Sequence, residues 1–135
     1  MAQKTHVFRV KPGQEIITVI TDYCHENGIT SALVTGIIGS LTSVKLNFLL
    51  ALPGKYETHE YEGPMEIVGA QGSVALKDGD LLLHIHMQLA DRNHSFGGHL
   101  VEGRVFSTAE VVLQCLDFQL NRYADSYTGL NELQT

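Results

Sequence analysis

His84 and His86 stand two positions apart in the segment Leu81–Leu89, and His99 follows thirteen positions after His86. Leu81, Leu83, Ile85, Met87 and Leu89 take the odd positions of that segment, an alternation with the period of a half-buried strand. Side chains two apart on a strand share a face and lie about 6.6 Å apart along it. His84 and His86 therefore project together, away from the apolar side. Zinc–imidazole bonds of about 2 Å let two such rings converge on one cation. If residues 90–98 form a hairpin loop, His99 arrives beside His86, and Gly97-Gly98 let the backbone approach closely. Three protein ligands with an open position mark a catalytic or exchangeable site, whereas a structural zinc site is closed by four. The cofactor so indicated is zinc or another divalent transition metal. The spacing leaves a second reading open, in which His84 and His86 line a solvated sheet face and His99 makes a structural hydrogen bond.

Other polar residues carry weaker signals. Glu110 opens the apolar run Val111–Leu113 and could orient a metal-bound histidine, or stand at a sheet edge. Arg104 shares a strand face with Glu102 and Phe106, a setting for a cross-strand ion pair. His6, His25, His59 and His94 have no partner at ligand spacing, and Glu57, Glu60, Glu62 and Glu66 read as a solvated surface. Phosphate-loop, nucleophile-elbow and dinucleotide glycine motifs are all missing.

The elements that must position these groups are mostly strands. His6–Val10 reads as a short strand ended by Lys11-Pro12-Gly13. Residues 14–27 hold a β-branched run, yet Ile16, Ile17, Val19, Ile20, Tyr23 and Cys24 fall at helical spacing. Glu15 lies in the first turn, His25 in the last, and Gly28 follows where a left-handed cap is wanted. Beyond it come strands at 31–38, 44–50, 56–61, 65–74, 81–89, 99–107 and 110–118, broken at glycines and prolines. The last segment, 119–135, reads as packed turns. One firm helix near the N-terminus and about seven strands make an α+β domain, mainly an antiparallel sheet or barrel.

Composition sets the outer bounds. The 135 residues include 9 Lys+Arg, 15 Asp+Glu and 7 His, a formal net charge of -6. That length fits one domain spanning residues 1–135. An apolar content of 44% excludes a disordered chain. A pI near 5.5 argues against binding nucleic acid by charge alone. Charged residues are 18%, below the roughly 25% of an average domain, which suggests buried intersubunit surface. No apolar leader occurs at Met1–His6 and no apolar run spans a bilayer, so a cytoplasmic protein without a membrane contact is expected. Cys24 and Cys115 sit in apolar segments and read as core thiols.

Several stretches, taken in order, resemble the Plants and Prokaryotes Conserved (PPC) domain in its stand-alone prokaryotic form. They are Gly36–Leu41, Tyr61–Val68, Leu83–His86, Gly97–Leu100, Gly103–Val105 and Thr108–Val112. The resemblance implies an α+β fold, a homotrimer and, in prokaryotic members, a metal held by three histidines, here His84, His86 and His99. It also implies a DNA-binding or transcription-regulatory role, with DNA or a regulatory protein as partner. The AT-hook tracts that precede the domain in plants are missing here. The plant partner-contact motif Gly-Arg-Phe-Glu-Ile-Leu reads Gly63-Pro64-Met65-Glu66-Ile67-Val68, without the arginine and the aromatic. The domain is similar in fold group to α-acetolactate decarboxylase, which holds zinc with a similar histidine arrangement. That likeness implies an alternative, a zinc-dependent enzyme acting on a small carbonyl or carboxylate substrate, with Glu110 and Arg104 as its proton-transfer and anion-binding groups. A third expectation is a small-molecule or metal sensor, with the ligand at the metal.

Overall fold

A run of long, alternating β-rich segments needs every strand edge paired or covered, and this chain pairs nearly all of them with itself. The structure, a computed structural model, describes residues 4–135. The leader-free start expected at Met1–Gln3 lies outside the described residues. The elements are β1 (Thr5–Val10), α1 (Ile16–Glu26), β2 (Ala32–Ala51), β3 (Lys55–Lys77), β4 (Asp80–Ala90), β5 (Ser95–Cys115), β6 (Arg122–Ala124) and β7 (Asn131–Leu133). The main sheet has the order β1-β5-β2-β3-β4, all antiparallel, and β4 pairs back onto β5. Strands β2, β3, β4 and β5 thus close into a ring, the barrel that the alternating pattern predicts.

Three strands are far longer than the sequence suggests. β2, β3 and β5 run 20, 23 and 21 residues through the glycines and prolines expected to end them. Bulges explain the difference, because an unpaired extra residue bends a strand without ending it. The ladder steps from Leu41↔Met65 to Ser43↔Glu62, so Gly63 and Pro64 oppose the single residue Thr42. Pro64, which lacks an N–H, sits where no ladder bond is required of it. Further shifts fall between Val34 and Gly36 and between Gly39 and Leu41.

Helix α1 packs against β5 and buries Ile16, Ile20 and Cys24. Glu15 is its N-cap rather than part of its first turn. The carboxylate accepts from the backbone N–H of Ile17 and of Thr18, each at 2.9 Å, and from Gly103 N–H on β5 at 2.9 Å. Gly28 ends the helix at φ 65°, as the cap requires, and Ile29 N–H reaches Cys24 O at 2.8 Å. One apolar core runs from the helix through the barrel, from Ile16 and Ile20 to Leu41, Leu46, Ile85 and Leu113. Cys24 is buried and Cys115 half-buried, both free thiols. Burial and then the neighbouring Cys115 push the Cys24 thiol up to about 11.

Two connections also depart from expectation. The broad loop at 90–98 is a tight turn. Asp91 accepts from the backbone N–H of Asn93 and His94, both at 2.7 Å, so pairing runs to Ala90↔Ser95. The tail is a small hairpin, β6 with β7, rather than turns alone. It is tied to the main sheet by Leu76 N–H to Leu120 O at 3.0 Å and Gly54 N–H to Thr128 O at 2.7 Å.

Candidate metal centre

Along β4, Ile85, Met87 and Leu89 are buried while His86 and Gln88 face outward, so the period-two pattern puts His84 and His86 on one face. Register does the rest. His86 lies directly opposite His99 on β5, and His84 opposite Ser73 on β3. The approach is close because glycines line it. A Cβ on Gly97 would come within 2.5 Å of Met87 O, and one on Gly72 would collide with the His84 carbonyl.

The three rings meet. One ligand nitrogen from each of His84, His86 and His99 lies within 4.8 Å of the other two. His84 Nε2 and His86 Nε2 are 3.0 Å apart, and the ring centroids are separated by 4.9, 5.0 and 5.4 Å. Two nitrogens bound to one tetrahedral zinc lie about 3.3 Å apart, given bonds of about 2.0–2.1 Å. The donor set and its spacing therefore fit a transition metal, and small ring movements would complete the geometry. Among the described residues, no fourth His, Cys, Asp or Glu joins the group.

Burial tunes His84 and His99 toward the neutral form. His84 is pushed down to about 4, first by desolvation and then by the charges of His99, Arg122 and His86. His99 is lowered as well, by desolvation and then by His86 and Arg122. Neutral imidazole is the ligand form.

Arg122, on β6, is the neighbour that sequence reasoning missed. It is 8% exposed. Its Nη2 donates to Ser73 Oγ at 2.9 Å and points at His84 Nδ1 at 3.4 Å, while Nη1 donates to Asn131 O at 3.1 Å. A guanidinium only donates, so in this arrangement His84 Nδ1 accepts and its Nε2–H is directed at His86. No spacing in the tail marks Arg122; only the docking of the terminal hairpin brings it here. The histidines and Arg122 share a cavity of about 450 Å³ whose walls include Leu49, Tyr56, Leu82, Leu83 and Leu130.

The structure does not bring Glu110 or Arg104 to this cavity. Glu110 is exposed on β5, paired across the ladder with Arg9 and Ile38. Arg104 is exposed too. It donates to Gly13 O at 2.8 Å and reaches Glu102 on its own strand at 3.3 Å, so its ion pair is not cross-strand. The other histidines lie apart from the cluster: His6 bonds the Tyr23 hydroxyl, His59 meets Glu57, and His94 meets Asp91.

Comparison with known proteins follows the same lines. A metal-containing protein of Archaeoglobus fulgidus is 28% identical, with a TM-score of 0.91 over 98% of this chain and 94% of that one. A plant- and prokaryote-conserved (PPC) protein of Pyrococcus horikoshii is 32% identical, with a TM-score of 0.88 over 98% and 92%. A candidate DNA-binding protein of Bacteroides thetaiotaomicron shares the fold at 22% identity, with a TM-score of 0.90 over 98% and 96%. More distantly, a Staphylococcus aureus protein described as similar to α-acetolactate decarboxylase gives a TM-score of 0.55 at 19% identity, over 84% and 53%. The fold-group likeness expected from the sequence therefore holds. No curated protein matches the sequence. The model of the Plants and Prokaryotes Conserved (PCC) domain matches residues 1–117, and with the P. horikoshii protein it establishes that this chain belongs to that family.

Proposed function

We propose that this is a single-domain, cytoplasmic, homotrimeric metal protein in which His84, His86 and His99 hold zinc or another divalent transition metal. The remaining coordination position faces a cavity that receives a small molecule. The carrying observation is the convergence of three imidazole nitrogens within 4.8 Å on one cavity wall. The metal content of the A. fulgidus relative supports it. A bound divalent ion supplies Lewis acidity toward a ligand oxygen. The chain's own residues do the rest. Burial holds His84 and His99 toward the neutral, metal-binding form, Arg122 places a positive charge on the cavity wall, and leucines supply its apolar surface.

Regulation of a partner by ligand or metal occupancy is the role that fits best. Direct DNA contact has little support in the charge distribution, because phosphate neutralisation supplies nearly all non-specific affinity. Nine basic residues face fifteen acids. Arg9, in the acid-free stretch that also holds Lys4 and Lys11, already donates to Thr108 Oγ1 at 3.0 Å and Ser107 O at 3.1 Å. A catalytic reading draws on Glu132, the one carboxylate on the cavity wall among the described residues.

Metal analysis of the purified protein tests the proposal. Wild type is expected to hold one zinc per chain, and His86→Ala to bind at least ~100-fold more weakly, since even outer partners are worth 10–100-fold. A wild type that takes up no zinc from added salt overturns it.

A further inference from the structure

A guanidinium kept from water normally has an anion beside it. Arg122 has none: among the described residues no carboxylate oxygen lies within the 4.0 Å of an ion pair, although the side chain is only 8% exposed. Its Nε is fully buried without a hydrogen-bond partner. The groups it does touch, Ser73 Oγ, Asn131 O and His84 Nδ1, are all neutral. Glu132, on the same wall, acts on the guanidinium only from beyond ion-pair distance. The charge thus has no anion in contact with it, beside three convergent imidazoles and facing leucines.

We infer that the cavity takes a small monocarboxylate with an apolar body, its carboxylate held by Arg122. The inference rests on the metal reading above for a second anchor. A metal bond at His84 Nε2 leaves the ring proton on Nδ1, which faces Arg122 Nη2 and cannot accept from it. The guanidinium then has one more donor free for an anion, so the two anchors favour each other. Leu49, Leu82, Leu83 and Leu130 supply the contact for an apolar body, and about 450 Å³ suits a small molecule. Glu132 on the same wall limits the ligand to one negative group.

The test uses two probes of one shape and different charge, 4-methylpentanoate and 4-methylpentanamide, titrated by NMR into the full-length protein with and without zinc. Wild type is expected to prefer the carboxylate by about tenfold in both states, the worth of a charge-assisted hydrogen bond. Arg122→Gln is expected to lose that preference in the metal-free state. Equal binding of the two probes to metal-free wild type overturns the inference. So does binding of neither, as when a neighbouring subunit's carboxylate fills the site, or a preference that survives in Arg122→Gln. Should that variant not fold, the wild-type probe pair still decides. Failure to take up zinc defeats the metal reading alone, because the metal-free preference reports Arg122 separately.

Discussion

An imidazole sheltered from water resists protonation, and His84 carries that property furthest. Unfolded, it titrates at the ordinary 6.5; folded, at about 4. Between those values the unfolded chain binds the extra proton, so acid favours unfolding. This contribution is complete above about pH 6.5 and is lost as pH falls toward about 4. Denaturant melts of the metal-free protein across that window are expected to show stability falling with pH. His84→Gln should fall less steeply than wild type; equal slopes would assign the loss to other groups. His84, His86 and His99 were legible in the sequence because strand period and hairpin register are local rules. Arg122 was not, because its place depends on contacts with Ser73 and Asn131 that no periodicity encodes.

Strands β3 and β4 meet beneath the site with no room to spare. Gly72 faces His84 across the ladder, and a methyl there collides with the His84 carbonyl. Gly72→Ala is expected to cost about 1–3 kcal/mol, in the range of overpacked cores, and to weaken zinc binding by displacing His84. Thermal melts and metal content read the two effects; an unchanged melting temperature would contradict the close approach. At this scale the helix was legible from its 3.6-residue stripe, against the β propensity of Ile16–Thr21. Strand lengths were not. Glycine and proline read locally as breaks, yet Pro64 sits in a bulge and β3 continues from Lys55 to Lys77. The Glu15 cap eluded the sequence reading in part, since Gly103, one of its partners, lies on β5.

Taken whole, the molecule leaves large apolar side chains on its outside. Ile38 and Val68 are 69% and 64% exposed and lie on the paired strands β2 and β3. Few charges and exposed aliphatics are the surface that a trimer would cover. Sedimentation equilibrium is expected to give three times the 14.9 kDa chain mass for wild type and a monomer for Ile38→Glu. A wild-type monomer would rule the trimer out. The terminal hairpin adds something of another kind. The family model ends at residue 117, so the histidine floor falls inside it, while Arg122, Leu130 and Glu132 belong to the stretch beyond. On the proposed reading the three metal ligands lie within the family domain, while the cavity's charged groups, Arg122 and Glu132, come from the stretch beyond it. Exchanging the last eighteen residues would then alter the charge the cavity offers a ligand and leave His84, His86 and His99 in place.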